Sequence, residues 1–271
     1  MIRKYFSSRN QNNRLTLNDL YFKFQNLYLY FRDKDYFKQS GITKKFLSEA
    51  IKFEAAIKLS FQSFPITKWE KEDITEDRIF DTIEFLFDKV SKPGSMEPFD
   101  TDAGFQIWDY GSYSQKEGQS EYIEIVNMFL IDYGDGFELN DRGEILSLGD
   151  SALKNILCAD ILPYDVEHVD NKVINAIHKW RTRNQSLNDR KETIRELADV
   201  FEWLRKTKKL EKVLDKKDDA LIFDLANNFA IRHHNPSQKG NYDKNIWYSW
   251  MFHFYLASYH AIIRLLIKHE K

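Results

Sequence analysis

The sequence predicts a mainly α-helical protein: a helical N-terminal part with a small β-hairpin, followed by a four-helix bundle. Three observations lead there. The 271 residues hold only 10 Gly and 5 Pro, below the roughly 7% and 5% of ordinary globular chains, which disfavours folds with many strand turns or glycine-rich phosphate loops. Apolar residues recur at spacings of three and four through most of the chain, the signature of amphipathic helices. Alternation of period two is confined to one stretch near 137–148.

The elements follow in order. Leu17, Leu20, Tyr21, Phe24, Leu27 and Phe31 form one helical stripe, with Thr16 placed to cap it. A second helix is expected from about Lys45 to Phe64, with Leu47, Ile51, Ala55, Leu59 and Phe61 inward and Pro65 beyond its end. Thr75, followed by Glu76 and Asp77, opens a third helix that carries Ile79, Ile83, Leu86 and Phe87 and stops at Lys92-Pro93-Gly94. Residues 93–120 hold two prolines and four glycines and read as loop, with Trp108 and Tyr110 expected to pack onto something. Glu121 to Tyr133 reads as helix, and Phe137 to Leu148, with the turn Asn140-Asp141-Arg142-Gly143, as a β-hairpin. From there the chain reads as helices over Val166–Trp180, Asp189–Lys206, Asp218–His233 and Asp243–Lys268. A domain boundary is placed near Pro163, dividing 1–163 from 164–271.

A hydrophobic share of 42%, with 21 Phe, 14 Tyr and 6 Trp, suffices for one large or two small cores. No run approaches the roughly 18 to 20 apolar residues of a membrane span, and the first residues contain no apolar leader, so a soluble, cytoplasmic protein without membrane contact is expected. Cys158 is the only cysteine. It excludes an internal disulfide or a multi-cysteine zinc site, and a small core residue is expected there.

The formal charge of −2 hides a division. Residues 1–65 hold 12 Lys and Arg against 5 Asp and Glu, 66–170 hold 8 against 25, 171–217 hold 14 against 7, and 218–271 hold 6 against 5. An acidic middle therefore lies between basic regions, leaving room for a polyanion partner; chance differences between solvated helix faces are the plainer explanation.

No phosphate loop, GxSxG elbow, HExxH, CxxC or DxDxDG loop is present. The densest polar cluster is Asn227-Asn228-Phe229-Ala230-Ile231-Arg232-His233-His234-Asn235-Pro236-Ser237-Gln238-Lys239-Gly240, where an apolar-periodic helix runs into an Arg and two His and breaks. A guanidinium can hold a phosphodiester with paired donors, and an imidazole with pKa near 6.5 can exchange a proton with a ribose hydroxyl or leaving oxygen at neutral pH. No cofactor or metal is required. The competing structural explanation pairs Arg232 with a carboxylate and makes the histidines a helix C-cap. His253 and His260, seven apart on the last helix, are expected as core or interface histidines satisfied by hydrogen bonds. Trp247, Trp250, Met251, Phe254, Ala257, Ser258, Ala261 and Leu265 form an apolar stripe expected mostly in the core, with self-association as its other use. Arg181, Arg183, Arg190, Lys191 and Arg195, with Arg205 to Lys209, are candidate phosphate-backbone contacts.

With these residues in view, the C-terminal part resembles the HEPN superfamily, small four-helix domains found in toxin, abortive-infection and RNA-processing nucleases. The resemblance lies in the helix order over 166–271, in the helix Leu197-Ala198-Asp199-Val200-Phe201-Glu202-Trp203-Leu204, and in Arg232-His233 before the long last helix. It implies a homodimer in which two Arg/His motifs face each other and cut RNA without metal, with Arg232 as motif arginine and His233 following it. The family's later histidine is replaced here by Ser237, Gln238 and Lys239, while His234 stands two after Arg232. Either His234 takes over proton transfer, or cleavage is lost and binding kept.

The expectation is thus a metal-independent ribonuclease, or an RNA-binding relative, in bacterial defence or stress response. Arg232, His233 and His234 would be catalytic; Asn228, Asn235, Gln238, Lys239, Arg181 and Arg183 would hold RNA. The alternative is a non-enzymatic subunit that docks a protein partner through the acidic middle.

Overall fold

Capping side chains set where the helices begin. Thr16 Oγ1 accepts the Asp19 amide at 3.2 Å while the Asp19 carboxylate accepts the Thr16 amide at 3.0 Å, opening α1 (Leu17–Asp33). Ser48 opens α2 (Glu49–Lys58) and Thr75 opens α3 (Glu76–Phe87). Ser114 opens α4 (Gln115–Leu130). After α5 (Lys154–Leu157) and a π-turn at Val166–Asp170 come α6 (Asn171–Arg181), α7 (Leu187–Lys206) under a Ser186–Asp189 capping box, α8 (Lys216–Asn228) and α9 (Lys244–His269). The computed structural model describes residues 14–101, 104–149, 153–228, 231 and 242–270, without the side chains of 226–228. Among these the protein is mainly helical, with nine α-helices and three two-stranded sheets. No helix among them is long and apolar enough to cross a membrane.

Contacts divide the chain into two units, Met1–Leu146 and Ser147–Lys271. The division falls before Pro163 because Leu157 on α5 is buried in the second core.

The first core is aromatic. Phe31 of α1 meets Tyr36 and Tyr122 edge-on, at centroid distances of 5.0 and 5.2 Å. The fully buried Tyr122 on α4 donates to the Ile83 carbonyl of α3 at 3.1 Å. Asn127 of α4 brackets Leu139 of β5 (Phe137–Leu139), accepting from its amide at 2.7 Å and donating to its carbonyl at 3.0 Å. β5 pairs with β6 (Ile145–Ser147) across the Asn140 turn, as the sequence predicts. Gly143 takes φ +81° there, and any Cβ would lie 2.3 Å from the Phe87 ring.

Two expectations for this unit are corrected. The second helix starts at Ser48 and ends at Lys58, short of Phe64, because Leu59 turns extended and Trp69 Nε1 binds the Ser63 carbonyl at 2.7 Å. The stretch 93–120 is more ordered than loop: β1 (Lys92–Pro93) pairs with β4 (Tyr113–Ser114), β2 (Met96–Asp100) pairs antiparallel with β3 (Gln106–Tyr110), and α4 already begins at Gln115. Gly118 lies inside α4 because the helix crosses the chain there; a Cβ would sit 2.7 Å from the Lys92 nitrogen and 2.8 Å from Ser91 Cα.

The second unit is a helical bundle. α7 buries Ile194, Leu197, Ala198, Val200, Phe201 and Leu204 against α9, which buries Met251, Phe252, Tyr255, Leu256, Tyr259 and Ile263 among others. Trp180 at the end of α6 stacks on Phe252, at 4.2 Å and 7°. The Tyr255 hydroxyl donates to the Ile222 carbonyl of α8 at 3.0 Å. Glu270, just past α9, accepts from Lys209 at 2.8 Å and from Tyr164 at 3.2 Å.

Gly118→Ala is expected to lower the stability of the first unit by about 1–3 kcal/mol, since the obstructing atoms are backbone; an unchanged urea midpoint contradicts the crossing described. Glu54 is held below the usual carboxylate range by Lys58 and Lys89, and Glu121 by Lys92 and Tyr36. Because both pKa values are depressed by folding, their contribution is present above the ordinary value of 4.5 and is lost as pH falls through the lower folded values. Melting temperature should therefore fall below pH 4.5, less steeply in a Glu54→Gln, Glu121→Gln variant; an identical acid slope contradicts the assignment.

Candidate functional site

Described residues on both sides of the polar cluster join one core. On its N-terminal side α8 ends at Asn228 and Ile231 is 2% exposed within the second core. On its C-terminal side Tyr242 packs on the same core, with its ring 6.3 Å from Tyr248 and 6.4 Å from Trp247. Burial, reinforced by Tyr248, pushes the Tyr242 hydroxyl up to about 12, so it stays protonated and can only donate or accept neutrally. The next residue, Asp243, accepts the amides of Asn245 at 3.0 Å and Ile246 at 3.2 Å and starts α9. The α8 side is further held where the Arg205 guanidinium covers the Phe223 ring at 4.4 Å and meets Asp219 at 3.1 Å.

Arg232, His233, His234, Asn235, Gln238 and Lys239 lie outside the described residues, as does the side chain of Asn228. Arg181 and Arg183 are described and half-buried. Arg181 Nε donates to the Ser147 carbonyl at 2.9 Å, which fixes the end of α6. Next to it, Trp180 has the Arg190 guanidinium 5.1 Å from its ring centre while it stacks on Phe252. The basic end of α6 thus meets α9 at its eighth residue beyond Lys244, about 12 Å along the helix axis at 1.5 Å per residue. That is the half of α9 nearer residues 232–241.

Several other cations of this unit are engaged within it. Lys179 meets Glu196 at 2.5 Å, Arg195 meets Glu192 at 3.5 Å and Lys206 meets Glu202 at 3.7 Å. His253 is buried with Nδ1 donating to the Ser249 carbonyl at 2.7 Å. Burial, aided by the Arg264 charge, lowers the pKa of His260 and favours its neutral form. Among the described residues no group of three or more His, Cys, Asp or Glu is placed to hold a metal ion.

Three expectations are corrected by burial. Cys158 is exposed, because it lies just past the one buried residue of the short α5, Leu157. Trp108 is 61% exposed on β3, while Tyr110 beside it is half-buried and packs on Tyr113. The stripe on the last helix is largely not core: apart from Met251, it lies on the outer side of α9, with Trp250 44% exposed, Ala257 and Ala261 exposed and Leu265 43% exposed. The buried face is instead Tyr248, Phe252, Tyr255, Tyr259, Ile262 and Leu266. The first unit holds a cavity that the sequence did not signal, of about 850 Å³, lined by Leu47, Ala55, Leu59, Phe61, Phe64 and Pro65 among others. Its lining residues come from one stretch, Leu47 to Pro65, whose apolar spacing reads as packed core rather than as a cavity wall.

Compared with protein families, curated proteins and solved structures, the chain matches none. The class defined by the fold is a two-unit, mainly helical protein with a C-terminal helical bundle, in whose sequence the Arg-His-His segment falls between two residues of the bundle core, Ile231 and Tyr242.

If Ile231 anchors that segment, Ile231→Ala should destabilise the second unit by about 2–5 kcal/mol, read by urea unfolding; a loss within the ~0.5 kcal/mol typical of surface positions would contradict the anchoring.

Proposed function

We propose that the C-terminal unit acts on RNA as a HEPN-like, metal-independent ribonuclease or an RNA-binding relative in bacterial defence or stress response, working as a homodimer. The observation that carries the reading is that Ile231 and Tyr242, which flank residues 232–241 in the sequence, both join the bundle core. A pre-positioned Arg and His pair is what phosphodiester cleavage without metal requires, since the guanidinium must meet charge that develops on the phosphate while an imidazole moves one proton. In this reading Arg232 stabilises the phosphate, His234 exchanges the proton with the 2′-hydroxyl or the leaving oxygen, and His233, Asn228, Asn235, Gln238 and Lys239 orient the strand. Arg181 and Arg183 contact the backbone of the same strand.

The outer face of α9 supports the dimer. Trp250, Phe254, Ala257, Ala261 and Leu265 recur at three and four along it, and the small Ala257 and Ala261 let a second helix approach closely. Ala257→Arg is expected to yield a folded monomer by sedimentation, with RNA activity reduced at least tenfold; a dimer of unchanged stability would remove this face from the account.

The catalytic reading is tested with purified full-length chain and total RNA in excess EDTA. Wild type should cleave, and Arg232→Ala and His234→Ala should each be about 10²–10⁴-fold slower, the usual contribution of positioned acid–base groups. Salt-sensitive RNA retention on a filter without cleavage would select the binding relative. Neither cleavage nor retention, or equal activity in all three proteins, would overturn the proposal.

A further inference from the structure

The β2–β3 hairpin, in the acidic middle of the chain, has an exposure that an isolated element does not sustain on its own. All five residues of β2 and the first three of β3 are exposed. The apolar ones are large: Met96 49%, Phe99 42%, Phe105 71%, Ile107 49% and Trp108 61% exposed. The register Phe99↔Ile107 and Pro98↔Trp108 places apolar pairs on opposite faces, so neither face is turned to the core of the unit. A two-stranded hairpin is marginal in water unless something packs on it, and exposed apolar surface grouped in this way marks an interaction site.

The base of the hairpin is firmly held while its far end is open. Asp109 meets Lys38 at 2.5 Å, and the Tyr110 hydroxyl donates to Asp35 at 3.2 Å. Tyr110 also packs edge-on against Tyr113. These contacts fix the direction in which the apolar residues project.

Charge selects the occupant. Between Pro93 and Gln115 the sequence holds Glu97, Asp100, Asp102 and Asp109 and no Lys or Arg. Asp109 is neutralised by Lys38, but Glu97 and Asp100 make no ion pair among the described residues. An anionic lipid surface or a nucleic acid would be repelled, whereas a segment presenting Lys or Arg beside apolar side chains is attracted. The backbone favours one edge. Among the described residues β2 and β3 pair only with each other, so each has an open side; Pro98 deprives β2 of a donor, while β3 contains no proline.

We propose that this hairpin is a docking element for a protein partner: an extended segment in which apolar residues alternate with Lys or Arg, added along the edge of β3. The partner's backbone continues the ladder, its apolar side chains cover Trp108 on one face of the hairpin, and its cations reach Glu97 on the other. The proposal stands apart from the RNA reading, since it uses no residue of the second unit.

The test uses the full-length chain and two labelled peptides, one alternating valine with lysine and one alternating valine with glutamate, followed by fluorescence anisotropy. The lysine peptide should bind saturably and the glutamate peptide should not. Trp108→Ser and Glu97→Lys should each weaken binding about tenfold or more, while far-UV dichroism and RNA activity stay unchanged. Binding of both peptides, equal binding to wild type and variants, or loss of the surface to hairpin-dependent pairing of two copies of this chain in sedimentation would overturn it.

Discussion

The packed inner face of α9 is the constraint on which the C-terminal unit depends. Phe252 takes the stack of Trp180 from α6, Tyr255 holds the α8 backbone by its hydroxyl, and Met251, Leu256 and Ile263 close against α7. One helix therefore aligns three others, and the two residues that bracket the Arg-His-His segment, Ile231 and Tyr242, join the same core. The outward face of the same helix, with Trp250 and the two alanines, is the surface through which a second bundle could complete the site.

The N-terminal unit solves a different problem. Its aromatic core around Phe31 and Tyr122 is closed by backbone-directed hydrogen bonds, Tyr122 to Ile83 and Asn127 to Leu139, which leave α4 no freedom to slide. Gly118 permits the close crossing of α4 over Ser91 and Lys92. Much of the unit's charge is matched locally: Lys89 and Lys58 share Glu54, Lys92 reaches Glu117 and Glu121, and Arg78 pairs with Asp73. On the β2–β3 hairpin, Glu97 and Asp100 make no ion pair among the described residues and stand beside exposed aromatic side chains.

Several elements were legible because one local pattern carried them. Thr16 with the Leu20, Phe24, Leu27, Phe31 spacing gives α1, and turn chemistry at Asn140 to Gly143 gives the β5–β6 hairpin. The β2–β3 hairpin was not legible, since a strand pair with both faces exposed has no buried period to imprint on the sequence, and Pro98 argues against a strand. Gly118 masked the start of α4 because it reads as a turn when its actual role is close backbone approach. On α9 nearly the whole circumference is apolar, so spacing identifies a helix but does not say which side is inside; Trp250 and Tyr255 are equally good candidates, and only packing separates them. The Arg-His-His cluster stood out by composition, but the core packing of Ile231 and Tyr242 on either side of it did not, because nothing local separates Ile231 from Phe229 and Ala230 beside it or marks Tyr242 in its polar surroundings.

The account's central claim is that RNA contacts the segment held between Ile231 and Tyr242. Ultraviolet cross-linking of the full-length chain to a uridine-rich RNA, followed by mass-spectrometric mapping, tests it most directly. The account predicts cross-linked peptides from residues 228–242, with a second set around Arg181 and Arg183. Cross-links confined to residues 14–146, or none above an acidic control protein, would contradict it.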